Sequence, residues 1–329
     1  MSDFEPFYDV KHSYEDNYEQ GPFGAFAEAL KATPSVTSGD SSPYEGEPGK
    51  KTSAGAEEKP EEKTAVGAEG EPAGSTFLGQ PVNLPFGIPA GPLLNSRFTT
   101  AAFRMGFDLA TYKTVRSRAW GCNPFPNVLA VHPKSADGSL TPGSAELDEG
   151  VLADTDYEQP ISISNSFGVP SQSPDVWQPD MRAAIAAAGL GQVLVPSFQG
   201  SRVEGMSEEE YIADHATTAR LIKETGAKFM VMNTSCPNEG HNRLLCHNPL
   251  LVGRITEAVK NEIGDIPLMV KLAYIPSDDD LELMVRSTVG HGTVQGFSTI
   301  NTISAKLVDA DGNQALPGAG RDRSGVCGN

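Results

Sequence analysis

Seven residues whose side chains could do chemistry follow closely on apolar, β-rich runs of the sequence. They are two lysines, two asparagines, two threonines and one cysteine: Lys113, Thr114, Asn233, Cys236, Lys271, Asn301 and Thr302. In an α/β barrel the active site forms where the strands end, so side chains at these positions meet at one rim. Each residue alone has an ordinary structural role as a surface charge, turn residue or small core residue. Their joint occurrence predicts a shared binding site.

These side chains suit redox chemistry on a pyrimidine-like ring that lies beside a flavin. Lysines offset the negative charge that develops near N1 of a reduced flavin. Asparagines both donate and accept, which matches the alternating N–H and C=O groups on the edges of a pyrimidine ring. A thiol can act as a base once its surroundings lower its pKa towards neutrality. The run Pro89-Ala90-Gly91-Pro92, after the first strand, is small enough to let a flat ligand approach the backbone.

The elements that must position these residues are β-rich runs that alternate with helical stretches. This alternation predicts βα units around a parallel sheet. The expected strands are residues 83–90, 109–114, 192–198, 228–233, 267–272 and 296–301. The expected helices are residues 96–105, 207–225, 248–263 and 278–289, and Ser207 with Glu210 fits a capping box in the second of them. The fold class is therefore α/β, a TIM (β/α)8-type barrel that is incomplete at its C-terminus, with about six of eight βα units.

The rest of the chain predicts an arm, a linker and an excursion from the barrel. Residues 1–37 form an aromatic N-terminal arm that we expect to dock on the barrel or on a partner, since it carries Phe4, Phe7, Tyr8, Tyr14, Tyr18, Phe23 and Phe26. Residues 38–76, rich in Gly, Ser, Pro, Ala, Glu and Lys, predict a disordered acidic linker. Residues 77–329 form the barrel. Within it, residues 115–191 predict a small antiparallel excursion over the barrel mouth, which includes the run 161–165.

Charge and composition exclude several classes of protein. A net charge of −18 and a pI near 4.7 argue against a protein that grips nucleic acid or an anionic membrane. We expect a soluble, cytoplasmic protein, because no apolar stretch could span a membrane and no signal peptide is present. The four cysteines form no C-x-x-C pair and the histidines show no ligand spacing, so we expect no metal site. We expect Cys246 to be a structural cysteine.

Seven segments agree, in chain order, with the landmarks of one family. They are residues 83–92, 112–114, 121–124, 163–170, 270–271, 301–303 and the loop Asn233-Thr234-Ser235-Cys236-Pro237-Asn238. Residues 79–328 thereby resemble the dihydroorotate dehydrogenases. The resemblance implies an FMN across the barrel mouth and oxidation of (S)-dihydroorotate to orotate in de novo pyrimidine (UMP) biosynthesis. It also implies that Cys236 removes the C5 proton while FMN takes the C6 hydride, because cysteine fills this place in the soluble class of the family and serine in the membrane-associated class.

The resemblance also implies a role for each matched position. The residues expected to contact FMN are Ala90, Gly91, Lys113, Thr114, Asn233, Lys271, Ile300 and Gly328. The residues expected to contact the substrate are Lys113, Asn165, Phe167, Gly168, Val169, Asn233, Asn238, Asn301 and Thr302. Among these, Asn165 and the backbone of 167–169 should hold the carboxylate side, and the amides should bond the ring edges.

The sequence departs from the family at its C-terminus. The family's barrels continue with two more βα units whose loops bind the FMN phosphate, so we expect a truncated barrel, or one that a partner completes. A homodimer and an electron-transfer subunit are possible partners. Fumarate, NAD through an iron–sulfur subunit and another oxidant stay open as acceptors. The alternatives are another FMN-barrel pyrimidine oxidoreductase, similar to dihydropyrimidine dehydrogenase or a tRNA dihydrouridine synthase, and a non-catalytic truncated homologue that acts as a binding or regulatory subunit.

Overall fold

The computed structural model describes residues 6–31, 74–157, 162–235 and 244–328. Its helices are α1 Tyr14–Gln20, α2 Gly24–Lys31, α3 Ser96–Arg104, α4 Glu146–Glu149, α5 Pro174–Ala186, α6 Glu208–Lys223, α7 Pro249–Ile263 and α8 Asp278–Ser287, with 3-10 turns at Leu245–His247 and Val289–His291. Its strands are β1 Ser75–Phe77, β2 Gln80–Val82, β3 Gly87–Ile88, β4 Leu109–Val115, β5 Ala130–His132, β6 Val151–Asp154, β7 Ser162–Asn165, β8 Val193–Phe198, β9 Met230–Asn233, β10 Leu268–Lys271, β11 Gly296–Ser298, β12 Ile303–Val308 and β13 Arg323–Cys327.

A six-stranded parallel sheet forms the main body of the fold. Its strand order is β11-β10-β9-β8-β4-β3, and every neighbouring pair is parallel. The six strands that the sequence predicts for the barrel are all present, in the predicted order. Helices α6, α7 and α8 follow β8, β9 and β10, and their inner faces bury Ile222, Ile255 and Met284 in the main core. The capping box of Ser207 with Glu210 at the start of α6 is confirmed.

The first strand of this sheet is shorter than the pattern predicts. The pattern predicts a strand over residues 83–90, but only Gly87–Ile88 pairs with β4. The Leu84 N–H donates to Asp108 Oδ2 at 2.6 Å, and the Leu84 side chain is 60% exposed. A side chain thus takes the place of a strand partner before Gly87, and regular pairing begins only there.

Five short strands close into a second, small barrel in the order β12-β13-β7-β5-β6. The excursion supplies β5, β6 and β7, and the predicted run 161–165 contains β7. The other two strands come from residues 303–327, for which the sequence pattern predicts no element, and β12 closes the ring by pairing parallel with β6. Leu129, Val131 and Leu307 lie in its own core. The excursion pairs antiparallel within itself, β5 with β6 and β5 with β7, as predicted, but it needs this later hairpin to bury its apolar face.

Helix α5, Pro174–Ala186, also falls in the excursion and is absent from the predicted elements. Its Pro174 stands in the first turn, where a missing N–H costs little, but Pro179 lies inside the helix. Proline-rich sequence predicts a loop, and packing overrides that tendency here. Trp177 and Met181 are buried, and the Trp177 indole N–H donates to the Arg116 carbonyl at 3.1 Å.

The N-terminal arm docks on the barrel, one of the two outcomes that the sequence analysis leaves open. Helix α2 packs against α3, and Tyr14 of α1 and Phe26 of α2 are buried in the main core. Arg97 Nη2 donates to the Tyr18 carbonyl at 2.5 Å, and Arg104 Nη1 donates to the Leu30 carbonyl at 2.7 Å. The predicted linker lies largely outside the described residues, and its last two, Ser75 and Thr76, belong to β1.

None of the helices in the described ranges combines the length and the apolar character that a membrane crossing needs.

We predict that Phe26→Ala lowers the free energy of unfolding by about 3 kcal/mol, because the ring is buried and stacks on Phe7 with centroids 4.2 Å apart. Urea denaturation measures the change. Phe86→Ala is the control, since Phe86 is 60% exposed and its loss should cost less than about 1 kcal/mol. Equal losses in the two variants would show that the arm does not share the core.

Candidate active site

Twelve of the predicted site residues line one pocket at the carboxyl ends of the parallel strands. The pocket is open to solvent and is lined by Ala90, Gly91, Lys113, Thr114, Asn165, Phe167, Gly168, Val169, Asn233, Lys271, Asn301 and Thr302. Ile300 and Gly328 lie outside it and line a neighbouring cavity together with Asn301 and Thr302. Cys236 and Asn238 lie outside the described residues. The structure thus brings these twelve residues together, while their individual roles stay predictions.

Two lysines enter the pocket from β4 and β10, strands that β8 and β9 separate in the sheet. Lys113 and Lys271 are each only 8% exposed. Burial lowers the pKa of the Lys271 ammonium below its usual value, and the nearby Cys327 opposes this shift. Lys113 Nζ lies 5.5 Å from the centre of the Phe167 ring. The two side chains are therefore held in a poorly solvated pocket, where a cation interacts strongly with an anionic ligand.

The side-chain amides of the pocket are fixed by hydrogen bonds to one another. The Asn233 amide lies 2.9 Å from Ser235 Oγ, and Asn301 Nδ2 donates to the same Ser235 Oγ at 2.8 Å. The Asn233 amide also lies 2.8 Å from the Gln199 side chain. Ser235 thus joins the amide that ends β9 to the amide that follows β11, so the two side chains are held together before any ligand binds.

The segment Phe167-Gly168-Val169 forms one wall of the pocket with its backbone. Gly168 and Val169 have φ values of +77° and +52°, so both adopt a left-handed conformation. The Phe167 carbonyl accepts from the Asn123 N–H at 2.9 Å. In a planar trans peptide the N–H points away from the carbonyl, so the Gly168 N–H is directed away from Asn123. The N–H groups of Gly168 and Val169 find no acceptor in the described part of the chain, and they are available to an anion.

The pairing of β13 with β7 brings the small barrel to this wall. Gly325 is the register partner of Asn165. A Cβ at position 325 would come within 2.2 Å of Thr302 Oγ1, so only glycine allows β13 to lie this close to the strand-end residues 301–302. This close approach places Asn165 and Thr302 around the same pocket.

The N-terminal arm packs behind the same wall. The rings of Tyr8 and Tyr14 meet the Phe167 ring edge-on, at centroid distances of 5.8 Å and 6.1 Å. Cys122 lies beside this cluster, and burial raises the pKa of its thiol to about 11. The Phe167 ring is therefore clamped between the arm and Lys113.

The sequence pattern did not single out Arg116, Gln199 and Ser235, although all three support the residues that line the pocket. Gln199 directly follows β8, as Asn233 and Lys271 end β9 and β10, so the strand-end signal that found the others could have found it. Arg116 directly follows β4 in the same way. Within the described ranges, no cluster of three or more His, Cys, Asp or Glu residues could hold a metal ion.

His215 is completely buried on α6, beneath the Gly200 backbone. Its Nδ1 is 3.0 Å from the Tyr211 carbonyl, and a Cβ at position 200 would come within 2.3 Å of that nitrogen. Burial lowers the pKa of the imidazole to about 4, although the Tyr211 carbonyl and the Asp214 carboxylate oppose this shift. The ring is therefore neutral at pH 7 and serves packing under the end of β8.

Several known proteins are similar to this chain. No family model matches it. It is 33% identical over 331 residues to a dihydroorotate dehydrogenase of Dictyostelium discoideum, an alignment that covers 98% of this chain and 78% of that protein. It is 30% identical over 183 residues to the catalytic subunit of an NAD(+)-linked dihydroorotate dehydrogenase B of Enterococcus faecalis, and this match covers 55% of the chain and 51% of the subunit.

A solved structure of a ligand-free dihydroorotate dehydrogenase from Eimeria tenella matches with a TM-score of 0.52 at 17% identity. The match covers 77% of this chain and 65% of that one. At this identity the similarity shows the fold alone, which is an α/β fold of the TIM-barrel type.

We predict that His215 makes the protein less stable in mild acid. Its folded pKa of about 4 lies below the unfolded value of 6.5, so between these limits only the unfolded chain takes up the proton. Its contribution to the free energy of unfolding should fall by about 3 kcal/mol as the pH drops through this window, and stay level below about pH 4.

Urea denaturation of the wild type and His215→Gln at a series of pH values isolates this contribution as the difference between the two curves. His291→Gln, at an exposed position, is the control. If the His215→Gln curve ran parallel to the wild-type curve, the buried imidazole would not be the source of the acid sensitivity.

Proposed function

Because this chain belongs to the dihydroorotate dehydrogenase family, we propose that it oxidises (S)-dihydroorotate to orotate with FMN as its cofactor. The observation that carries this proposal is the convergence of two lysines, three side-chain amides and a backbone N–H pair on one pocket. The lysines and N–H groups suit a carboxylate, and the amides suit a ring with alternating donors and acceptors. A dihydropyrimidine without a carboxylate would leave part of this pocket without a partner.

The pocket has the features that a flavin ring requires. Gly91 lines it with a φ of +142°, and a Cβ there would meet no protein atom within 4 Å, so this backbone faces open space. Ala90 beside it is also small, which leaves a flat wall. Lys271 lies at the edge that the pocket shares with the apolar interior of the sheet. We assign Ala90, Gly91, Thr114 and Lys271 to the flavin; FMN, when bound, supplies the acceptor for the C6 hydride.

The substrate's carboxylate has a place of its own in this proposal. Lys113 and the N–H groups of Gly168 and Val169 would hold it, with Asn165 beside them. Asn233 and Asn301, locked together through Ser235, would bond the edges of the ring and so fix the direction in which C5 faces. Asn238, assigned by the motif, would add a third amide.

Cys236 is the base in this proposal, on the strength of the sequence motif of residues 233–238, in which it directly follows Ser235. Its thiolate would take the proton from C5. The described cysteines are poor alternatives, because burial raises the pKa of Cys122 and Cys246 to about 11 and also raises that of Cys327. A homodimer and an electron-transfer subunit stay predictions of the family resemblance.

We predict that the purified protein carries FMN and that dihydroorotate bleaches its visible absorption in the absence of oxygen. Dihydrouracil, which lacks the carboxylate, should bleach it far more slowly, because Lys113 and the N–H groups of the Gly168 wall would have no partner. Anaerobic absorption spectroscopy measures both rates. A colourless protein that takes up no FMN would favour the non-catalytic alternative, and equal bleaching by both compounds would refute the assigned substrate.

We predict that Cys236→Ala slows this bleaching by at least about 100-fold and leaves FMN bound, because the variant loses the general base and not the pocket. Stopped-flow absorption under anaerobic conditions gives the rate. Cys246→Ala is the matched control, since that thiol is buried away from the pocket and its loss should leave the rate near the wild-type value. A similar rate in the wild type and Cys236→Ala would remove Cys236 from the role of base.

A further inference from the structure

Arg116 is a buried cation behind the pocket wall, and neither the proposed function nor the family motifs give it a role. It directly follows β4 and is only 3% exposed. Its guanidinium carbon lies 4.5 Å from the centre of the Trp120 ring, on which it stacks. Its Nε donates to the Val169 carbonyl at 3.0 Å, and its Nη1 donates to the Gly200 carbonyl at 2.8 Å. One side chain therefore ties the 167–169 wall to the end of β8.

The same guanidinium also bears on the direction of the Val169 N–H. Arg116 Nη2 reaches the Gly168 carbonyl at 3.5 Å, and Arg116 is not among the residues that line the pocket. The peptide between Gly168 and Val169 is trans, so a carbonyl turned to Arg116 directs the Val169 N–H to the opposite side, where the pocket lies. Pro170 follows and has no N–H. The carbonyls of Gly168 and Val169, which would repel an anion, are thus turned towards Arg116.

This arrangement needs an external support. Val169 is a β-branched residue at a φ of +52°, a conformation that such residues rarely adopt. Strained backbone persists where surrounding contacts over-determine it. The bonds from Arg116 to the carbonyls of Gly168 and Val169 are contacts of this kind, and the Asn123 N–H supplies another at the Phe167 carbonyl.

Arg116 also reaches the ring-binding side of the pocket, through Gln199. The Gln199 carboxamide lies between the Arg116 guanidinium and the Asn233 amide. A guanidinium has only donors, so the Gln199 oxygen belongs on its side, 2.6 Å from Nη2 and 3.2 Å from Nη1.

The Gln199 nitrogen then faces Asn233 at 2.8 Å and donates to its oxygen once the Asn233 amide turns the same way. Ser235 Oγ can accept a hydrogen bond as readily as donate one, so its 2.9 Å contact with the Asn233 amide is kept. The longer bond, 3.3 Å from the Ser235 N–H to the Asn233 side chain, is lost. The donor-only character of Arg116 thereby fixes the direction of the Asn233 amide.

We propose that Arg116 is a positioning residue for two recognition walls at once: it turns the Val169 N–H, next to that of Gly168, towards a carboxylate, and through Gln199 it sets the Asn233 amide for the ring edge. The identity of the ligand rests on the proposed function. The positioning of the wall does not, because it follows from contacts within the chain.

Lysine could not replace arginine in this place. A guanidinium forks in a plane and serves several acceptors together, whereas an ammonium is a single point on a flexible stem. Arg118, two residues later, offers a matched comparison. Its Nη2 donates to Asp214 Oδ1 at 3.0 Å and its side chain is 47% exposed, so it carries the same charge in the same loop without touching the wall.

The first measurement is hydrogen exchange of the Asn123 and Ser171 amides in the purified protein without substrate. The Asn123 N–H donates to the Phe167 carbonyl at 2.9 Å and the Ser171 N–H to the Trp120 carbonyl at 3.0 Å, so both are protected while the wall stays in place. Arg116→Met should raise their exchange rate by at least about tenfold, as expected for a wall that loses hydrogen bonds from a charged group. Arg116→Lys should give a smaller rise, and Arg118→Met should leave the rate unchanged. An unchanged rate in Arg116→Met, or in Arg116→Lys if the methionine variant does not fold, overturns the positioning role.

The second measurement compares the affinities for orotate and uracil, which differ by the carboxylate, from the shift of the flavin spectrum on titration. In Arg116→Met the ratio of the two affinities should fall at least about tenfold, since the carboxylate wall loosens. In Gln199→Leu the affinities for orotate and uracil should fall by the same factor, so their ratio should not change. This variant breaks only the connection between Arg116 and the Asn233 amide, which contacts the ring and not the carboxylate. A ratio unchanged in Arg116→Met overturns the proposal. If the wild type binds no orotate, the proposed function fails, and the exchange rates still decide the role of Arg116.

Discussion

The register between β9 and β10 is the constraint on which the pocket depends. Asn233 and Lys271 are direct partners in this parallel pair. Thr234 extends the pairing past the last strand residue, since its N–H and its Oγ both donate to the Lys271 carbonyl, at 3.2 Å and 2.8 Å. If β9 and β10 slipped past each other by one residue, the residue opposite Asn233 would no longer be Lys271, and the Lys271 side chain would lie on the opposite face of the sheet from the Asn233 side chain. Only this register lets an amide and a cation face the same ligand.

Local pattern was enough to predict the parallel strands and the residues at their ends, because apolar runs and the polar residues after them are neighbours in sequence. The small barrel could not be predicted in this way, since β12 and β13 acquire their partners from β6 and β7, far back in the chain. Helix α5 was missed because its two prolines indicate a loop, and burial of Trp177 decides otherwise. Arg116 was missed because its role depends on three carbonyls that only the folded chain brings to it.

The pocket holds positive charge inside a strongly acidic protein. The chain carries a net charge of −18, yet Lys113, Lys271 and Arg116 are all buried in or behind the pocket. Exposed charges that are farther away than about 8 Å are largely screened at physiological salt, whereas buried cations are screened much less. The local field therefore favours an anion, and the acidic surface mainly affects solubility and encounter with other macromolecules.

The small barrel joins segments that are far apart in sequence: β13 pairs with β7, and Cys327 Sγ contacts the Ile163 carbonyl across 164 residues of chain. Contacts of such long range form late, because the intervening chain must first be ordered. On the ribosome, β7 has no partner on this side until residues 323–327 emerge, although β4, β8 and β9 can already associate. A nascent chain thus has the parallel strands beneath the pocket well before it has the pairing that supports the Asn165 side of the pocket, and the pocket is completed only once residues 323–327 have emerged.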